Sequence, residues 1–76
     1  MSDAVHLYFE KINKDFTILV QVNPKTFSGR EIIIFPDGKT TTKKIHFDTE
    51  IFDDLKEDEF KESSALKFQL YLNKLV

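Results

Sequence analysis

Phe35-Pro36-Asp37-Gly38-Lys39 predicts a tight turn between two β-strands, and the other elements can be placed around it. Pro36 presets the backbone angle φ of the first central position of a type I turn, and Gly38 can take the positive φ of the bulge that follows. Phe35 and Lys39 then lie opposite each other. The sequence therefore predicts an antiparallel hairpin around this turn.

The register of the hairpin follows from its turn. Counting outward pairs Ile33 with Thr41 and Glu31 with Lys43. The threonines and lysines of residues 40–44 are typical of an edge strand, because such residues discourage another chain from pairing. The hairpin is therefore expected at one side of a sheet.

Two further segments alternate between apolar and polar residues, which is the pattern of a half-buried strand. They cover residues 5–10 and 16–22. An even loop keeps their apolar faces together, whereas an odd loop would mix the faces. We therefore expect a two- or four-residue loop with Phe9 opposite Ile18. The next connection, with its glycine, is expected over residues 25–29, because the preceding Asn-Pro pair ends the strand.

The second half of the chain begins with an acidic segment of helical pattern. Asp48 or Thr49 is expected to cap the helix, and Ile51, Phe52 and Leu55 form its apolar stripe. Early carboxylates suit the positive N-terminal end of a helix. The carboxylates one turn apart are expected to form a solvated face, with docking of a basic partner as the alternative.

Residues 65–76 fit two structures. As a helix, Phe68 and Leu72 share a stripe from which Leu66 and Leu70 are excluded. As a strand, all four of these residues face the same way. We favour the strand because it places every one of them in the core.

These elements predict one α+β domain over residues 1–76. The predicted fold is a mostly antiparallel five-stranded sheet (β-β-β-β-α-β) with one acidic helix packed on one face. The spatial strand order is expected to be 5-1-2-3-4. The predicted core of the sheet consists of Val5, Leu7, Phe9, Ile18, Val20, Val22, Ile33, Phe35, Ile45, Phe47, Leu66, Phe68, Leu70 and Leu72.

Composition favours a soluble cytoplasmic protein with no membrane contact. Apolar residues make up 41% of the chain and charged residues 32%, which suits a packed core with a solvated surface. The absence of cysteine excludes disulfides and thiolate zinc sites. The beginning of the chain lacks a leader pattern, and no apolar run is long enough for a membrane span. Frequent Lys, Ile and Phe favour a bacterial source.

No catalytic or cofactor motif is present: the chain has no P-loop, GxGxxG, HExxH or GxSxG pattern. His6 and His46 could join Tyr8 or Glu10 in acid–base chemistry, but outward-facing strand histidines are more often simply solvated. The two histidines also lie on separate hairpins, which predicts no metal site. We expect no enzyme activity, cofactor or metal.

Nucleic-acid binding is considered because a sheet with outward aromatic residues can stack bases. Tyr8, Tyr71, Lys44 and Lys67 could share such a face. A pI of about 5.6 and a single arginine disfavour this function, since phosphate binding depends on clustered positive charge.

The sheet face opposite the acidic helix carries apolar residues that a solvated face should not carry. A patch of aliphatic and aromatic residues rimmed by polar groups is typical of a contact with a protein partner or of a homodimer. High β-propensity of central strands is the alternative explanation. We predict a non-enzymatic interaction or assembly module, with a small-ligand or nucleic-acid-binding domain as the alternative. The candidate interaction residues are His6, Tyr8, Leu19, Ile32, Ile34, Lys44, His46 and Tyr71.

Overall fold

Five strands and two helices form the part of the chain that the computed structural model describes, residues 5–73. In chain order they are β1 (Leu7–Ile12), β2 (Thr17–Val22), β3 (Ser28–Ile34), β4 (Thr40–His46), α1 (Ile51–Glu57), β5 (Lys61–Glu62) and α2 (Ala65–Asn73).

The strands form one antiparallel sheet in the order β4-β3-β2-β1-β5. A fifth strand lies beside the first, as predicted, but it is not the predicted segment. The two-residue β5 takes this place, opposite Phe9 and Glu10 of β1. The prediction that the chain from residue 65 onward forms a strand is wrong, and residues 74–76 of that prediction lie outside the described residues.

The hairpin of β3 and β4 has the predicted register. Glu31 lies opposite Lys43, and their charged groups are 3.9 Å apart. The Gly38 N–H donates to the Phe35 carbonyl oxygen at 2.9 Å, which closes the turn. Gly38 has a φ of 90°, a conformation that glycine adopts without the steric cost of a side chain.

β1 and β2 are joined by an even loop, as predicted, but their register differs by two residues. Phe9 lies opposite Val20, and the predicted pairing with Ile18 is wrong. The loop takes four residues because two of its backbone N–H groups donate to the Asn13 Oδ1. Since the shift is even, each side chain keeps its predicted face.

Gly29 lies inside β3, so the prediction that it belongs to a turn is wrong. A methyl group at Gly29 would overlap the Gln21 carbonyl oxygen and crowd the Phe47 ring. Glycine is needed here because two strands approach closely. The connection turns earlier, at Asn23, and includes Phe27 with a positive φ of 59°.

Helix α1 begins without a side-chain cap, so the prediction of a cap at Asp48 or Thr49 is wrong. Its N-cap residue is Glu50, and Asp48 accepts the Glu50 N–H in a turn before the helix. Leu55 is the buried residue of α1. It belongs to a cluster on one sheet face, with Val20, Val22, Phe9, Ile18, Phe47, Ile51, Phe52 and Phe60.

Residues 65–73 are helical, and Ser64 supplies the cap. The Lys67 N–H donates to the Ser64 Oγ at 3.1 Å, as in an N-capped helix. Phe68 is 1% exposed, whereas Leu66 is 71% exposed and Leu70 is 56% exposed. The prediction that Leu66 and Leu70 face the core is therefore wrong, because helical spacing buries a single stripe.

Helix α2 lies on the opposite sheet face from α1. Phe68 packs against Leu19 and Ile32, which are 1% and 0% exposed, whereas the neighbouring Val20 belongs to the α1 side. The sheet thus has a buried cluster on each face. Besides Leu66 and Leu70, three residues predicted to be in the core are exposed: Leu7 at the start of β1, Val5 before β1 and Phe35 directly after β3.

A polar contact fixes α2 to β1. The Lys67 Nζ and the Ser63 Oγ each donate to the Glu10 Oε1 at 2.8 Å. The hydrogen bond from Lys67, and to a smaller extent the one from Ser63, lowers the pKa of the Glu10 carboxyl below its ordinary value. The position of α2 on the sheet is therefore held by a charge pair as well as by Phe68.

Candidate interaction surface

Helix α2 covers one half of the second sheet face. This half holds Leu19, Ile32 and Ile34, and Tyr71 of α2 packs against them. Tyr8 of β1 packs against the same cluster, so five of the predicted interaction residues lie in or against the core of the chain. The expectation that this half lies open to a partner is wrong, because the segment predicted as a fifth strand folds over it as a helix.

The other half of this face is polar, and we call His6, Gln21, Arg30, Lys44 and His46 the basic patch. Gln21, Arg30 and Lys44 lie directly opposite one another across β2, β3 and β4. His46 lies two residues beyond Lys44 on the same face of β4. The strand register thus brings side chains from four segments of the chain to one place.

The basic patch surrounds an open depression of about 400 Å³. Its walls come from three strands and from the residue before β1. The lining residues are His6, Gln21, Ser28, Gly29, Arg30, Lys44, Ile45 and His46. An extended segment of a partner could lie in a depression of this kind, which is not an enclosed pocket.

The positive charges of the basic patch have no carboxylate partner among residues 5–73. The ion pairs in that range join Lys43 to Glu31 and Lys67 to Glu10. Arg30 and Lys44 instead lie directly opposite each other, and like charges in this arrangement destabilise a sheet. A bound anion would relieve this repulsion.

Tyr8 forms the boundary between the basic patch and α2. Its hydroxyl oxygen accepts a hydrogen bond from the Gln21 Nε2 at 3.1 Å. Its ring lies 5.4 Å from the Phe68 ring and 6.5 Å from the His6 ring, measured between centroids. These contacts fix one wall of the basic patch against the buried core.

The structure brings together His6, Tyr8, Lys44 and His46 of the predicted interaction residues. Arg30 was not among those residues, although the correctly predicted pairing of Glu31 with Lys43 already implies that it lies opposite Lys44. Lys67, which was predicted to share a sheet face with Lys44, lies on α2 and is bound to Glu10.

Residues 5–73 contain neither a three-ligand metal site nor a helix that could span a membrane. No three His, Asp or Glu side chains in this range lie close enough to hold a metal ion. Neither described helix is both long and apolar enough to cross a membrane. His6 and His46 line the same depression, but no third such ligand joins them there.

Comparison of the chain with protein-family models, curated protein sequences and solved structures found no match.

Proposed function

We propose that this chain is a non-enzymatic protein-interaction module that binds an acidic segment of a partner protein through the basic patch. One observation carries the proposal: Arg30 and Lys44 lie side by side at an open depression, and neither forms an ion pair with a carboxylate of residues 5–73. Carboxylates from a partner would remove the repulsion between these two cations and form charge-assisted hydrogen bonds with them.

An acidic protein segment fits the charge of the basic patch better than a nucleic acid does. Affinity for nucleic acid comes mostly from several phosphate contacts, and the basic patch offers two permanent cations, Arg30 and Lys44. The chain as a whole carries a net charge of -2, which disfavours a long polyanion. A few carboxylates on a partner can be matched by the basic patch alone.

The proposal is tested by titrating the protein with a glutamate-rich peptide of about ten residues, a length that spans the sheet. The double variant Arg30→Glu/Lys44→Glu should bind the peptide at least about tenfold more weakly, equivalent to about 1.4 kcal/mol. Binding should also weaken as salt is added, because these charges are near the surface.

A matched control is Lys14→Glu/Lys39→Glu. It makes the same change in net charge at two exposed loop lysines, which lie at the opposite end of the strands from the basic patch. Equal losses in both double variants would reduce the effect to net charge and contradict the proposal. Tighter binding of single-stranded DNA than of the peptide would favour the nucleic-acid alternative, and light scattering would detect a second copy as the partner.

A further inference from the structure

The β4 edge of the sheet is long and unpaired within the described residues. β4 has seven residues and pairs only with β3, whereas the opposite edge is the two-residue β5. Proteins commonly protect sheet edges by making them very short, as at β5. The β4 edge lacks this protection, and its lysines discourage pairing with a like edge but not with a strand that carries carboxylates.

The hydrogen bonds at both ends of the hairpin show which β4 residues point their backbone outward. The Phe35 N–H donates to the Lys39 carbonyl oxygen, and the Phe47 N–H donates to the Phe27 carbonyl oxygen. In an antiparallel pair, residues that exchange such bonds alternate with residues that do not. The register is unbroken between these two ends, so the even-numbered residues of β4 point their N–H and C=O groups away from β3. These residues are Thr40, Thr42, Lys44 and His46.

Two of these outward-pointing residues, Lys44 and His46, also belong to the basic patch. A strand that pairs with their backbone would place every second side chain on the face that carries Lys44, His46 and Arg30. Resting on the proposed function, we infer that the acidic segment of the partner binds by strand addition along β4, with carboxylates at alternate positions. Backbone hydrogen bonds would supply affinity, and the basic patch would select the charge.

The lysines of β4 favour this occupant over a second copy of the same edge. Antiparallel pairing of β4 with itself would bring Lys43 and Lys44 of one copy close to those of the other, which is repulsive. A strand whose carboxylates lie on the face of Lys44 meets attraction at that residue instead. The charges therefore act for one partner and against self-pairing.

The test uses the whole chain and a peptide of about ten residues with alternating Glu and Thr, long enough to cover β4. In the free protein, amides of Thr42, Lys44 and His46 should exchange with solvent faster than those of Thr41 and Lys43. Adding the peptide should slow exchange at Thr42, Lys44 and His46 by at least about tenfold, the effect expected when exposed edge amides become hydrogen-bonded.

Thr42→Pro provides a second, independent measurement. Proline is tolerated on an edge strand when the missing N–H pointed to solvent, so the variant should fold and bind the peptide at least about tenfold more weakly. Thr42→Ala is the control, because it removes the side chain and keeps the N–H, and it should bind like the parent chain. If Thr42→Pro does not fold, the exchange measurement still decides.

The outcomes separate this inference from the proposed function. Peptide binding that depends on Arg30 and Lys44, without slowed exchange at the outward amides, would overturn strand addition and leave the basic patch as the binding surface. Peptide binding that is unaffected by Arg30→Glu/Lys44→Glu, or no binding, would overturn both. Slowed exchange at Thr42 and Lys44 of the parent chain, together with weaker peptide binding by Thr42→Pro and by Arg30→Glu/Lys44→Glu, would support both.

Discussion

Replacing Phe68 with alanine should be the most damaging single truncation on α2. Burial of a phenylalanine side chain contributes about 1.5–3 kcal/mol, and the cavity left between Leu19 and Ile32 raises the total to about 3–5 kcal/mol. A folded chain of 76 residues is stabilised by about 4–11 kcal/mol, so the loss is a large part of the total free energy of unfolding. The melting temperature should fall by about 10 °C or more.

Leu70→Ala is the matched control, because it shortens an apolar side chain on the same helix at a position that is 56% exposed. It should cost about 0.5 kcal/mol or less. Urea unfolding of the parent chain and both variants measures the difference. Similar losses of stability for Phe68→Ala and Leu70→Ala would contradict the helical structure of residues 65–73, since a strand with both residues facing inward would give that result.

Two further predictions concern glycine and pH. Gly29→Ala should destabilise the fold by about 1–3 kcal/mol or more, because the new methyl group would overlap the Gln21 carbonyl oxygen. Gly38→Ala places its methyl group where no atom lies within 4 Å, so it should cost only about 1 kcal/mol of backbone strain. Thermal melts compare the two variants, and equal losses of stability would contradict the close approach at Gly29. Lys67 lowers the pKa of Glu10 in the folded state, so this carboxyl stabilises the fold above its unfolded pKa, and the stabilisation is lost as pH falls through the lower folded value. Glu10→Gln should therefore destabilise the protein at pH 7 and flatten its loss of stability below the ordinary value of 4.5; urea midpoints that fall with acid as steeply as in the parent chain would exclude this role.

The two hairpins differ in how far the sequence determined their register. In the second, proline at position 36 and Gly38 permit one turn geometry, so the pairing of Glu31 with Lys43 was predicted correctly. In the first, an even loop was required by the alternation of apolar residues, but its length depended on the Asn13 side chain. The sequence therefore predicted which sheet face each side chain of β1 and β2 occupies, but not which residues lie opposite each other.

The C-terminal segment was wrongly predicted because its leucines satisfy the strand pattern. The strand pattern requires Leu66 and Leu70 to be buried, whereas exposed leucines are common on protein surfaces. The apolar face formed by Leu19 and Ile32 was recognised, and it needed a cover. Helix α2 of the same chain provides this cover. Ser64, which caps α2, is a sequence signal for a helix start, but the alternation of apolar residues takes no account of it.

Helix α2 has nine residues and is about 13 Å long, too short to extend across the whole sheet face. The side chains that hold the fold on this face, such as Phe68, are therefore not the ones proposed to select a partner. Arg30, Lys44 and His46 could be randomised as a display library on a constant scaffold. New binding specificities could then be selected from variants that share one unchanged core.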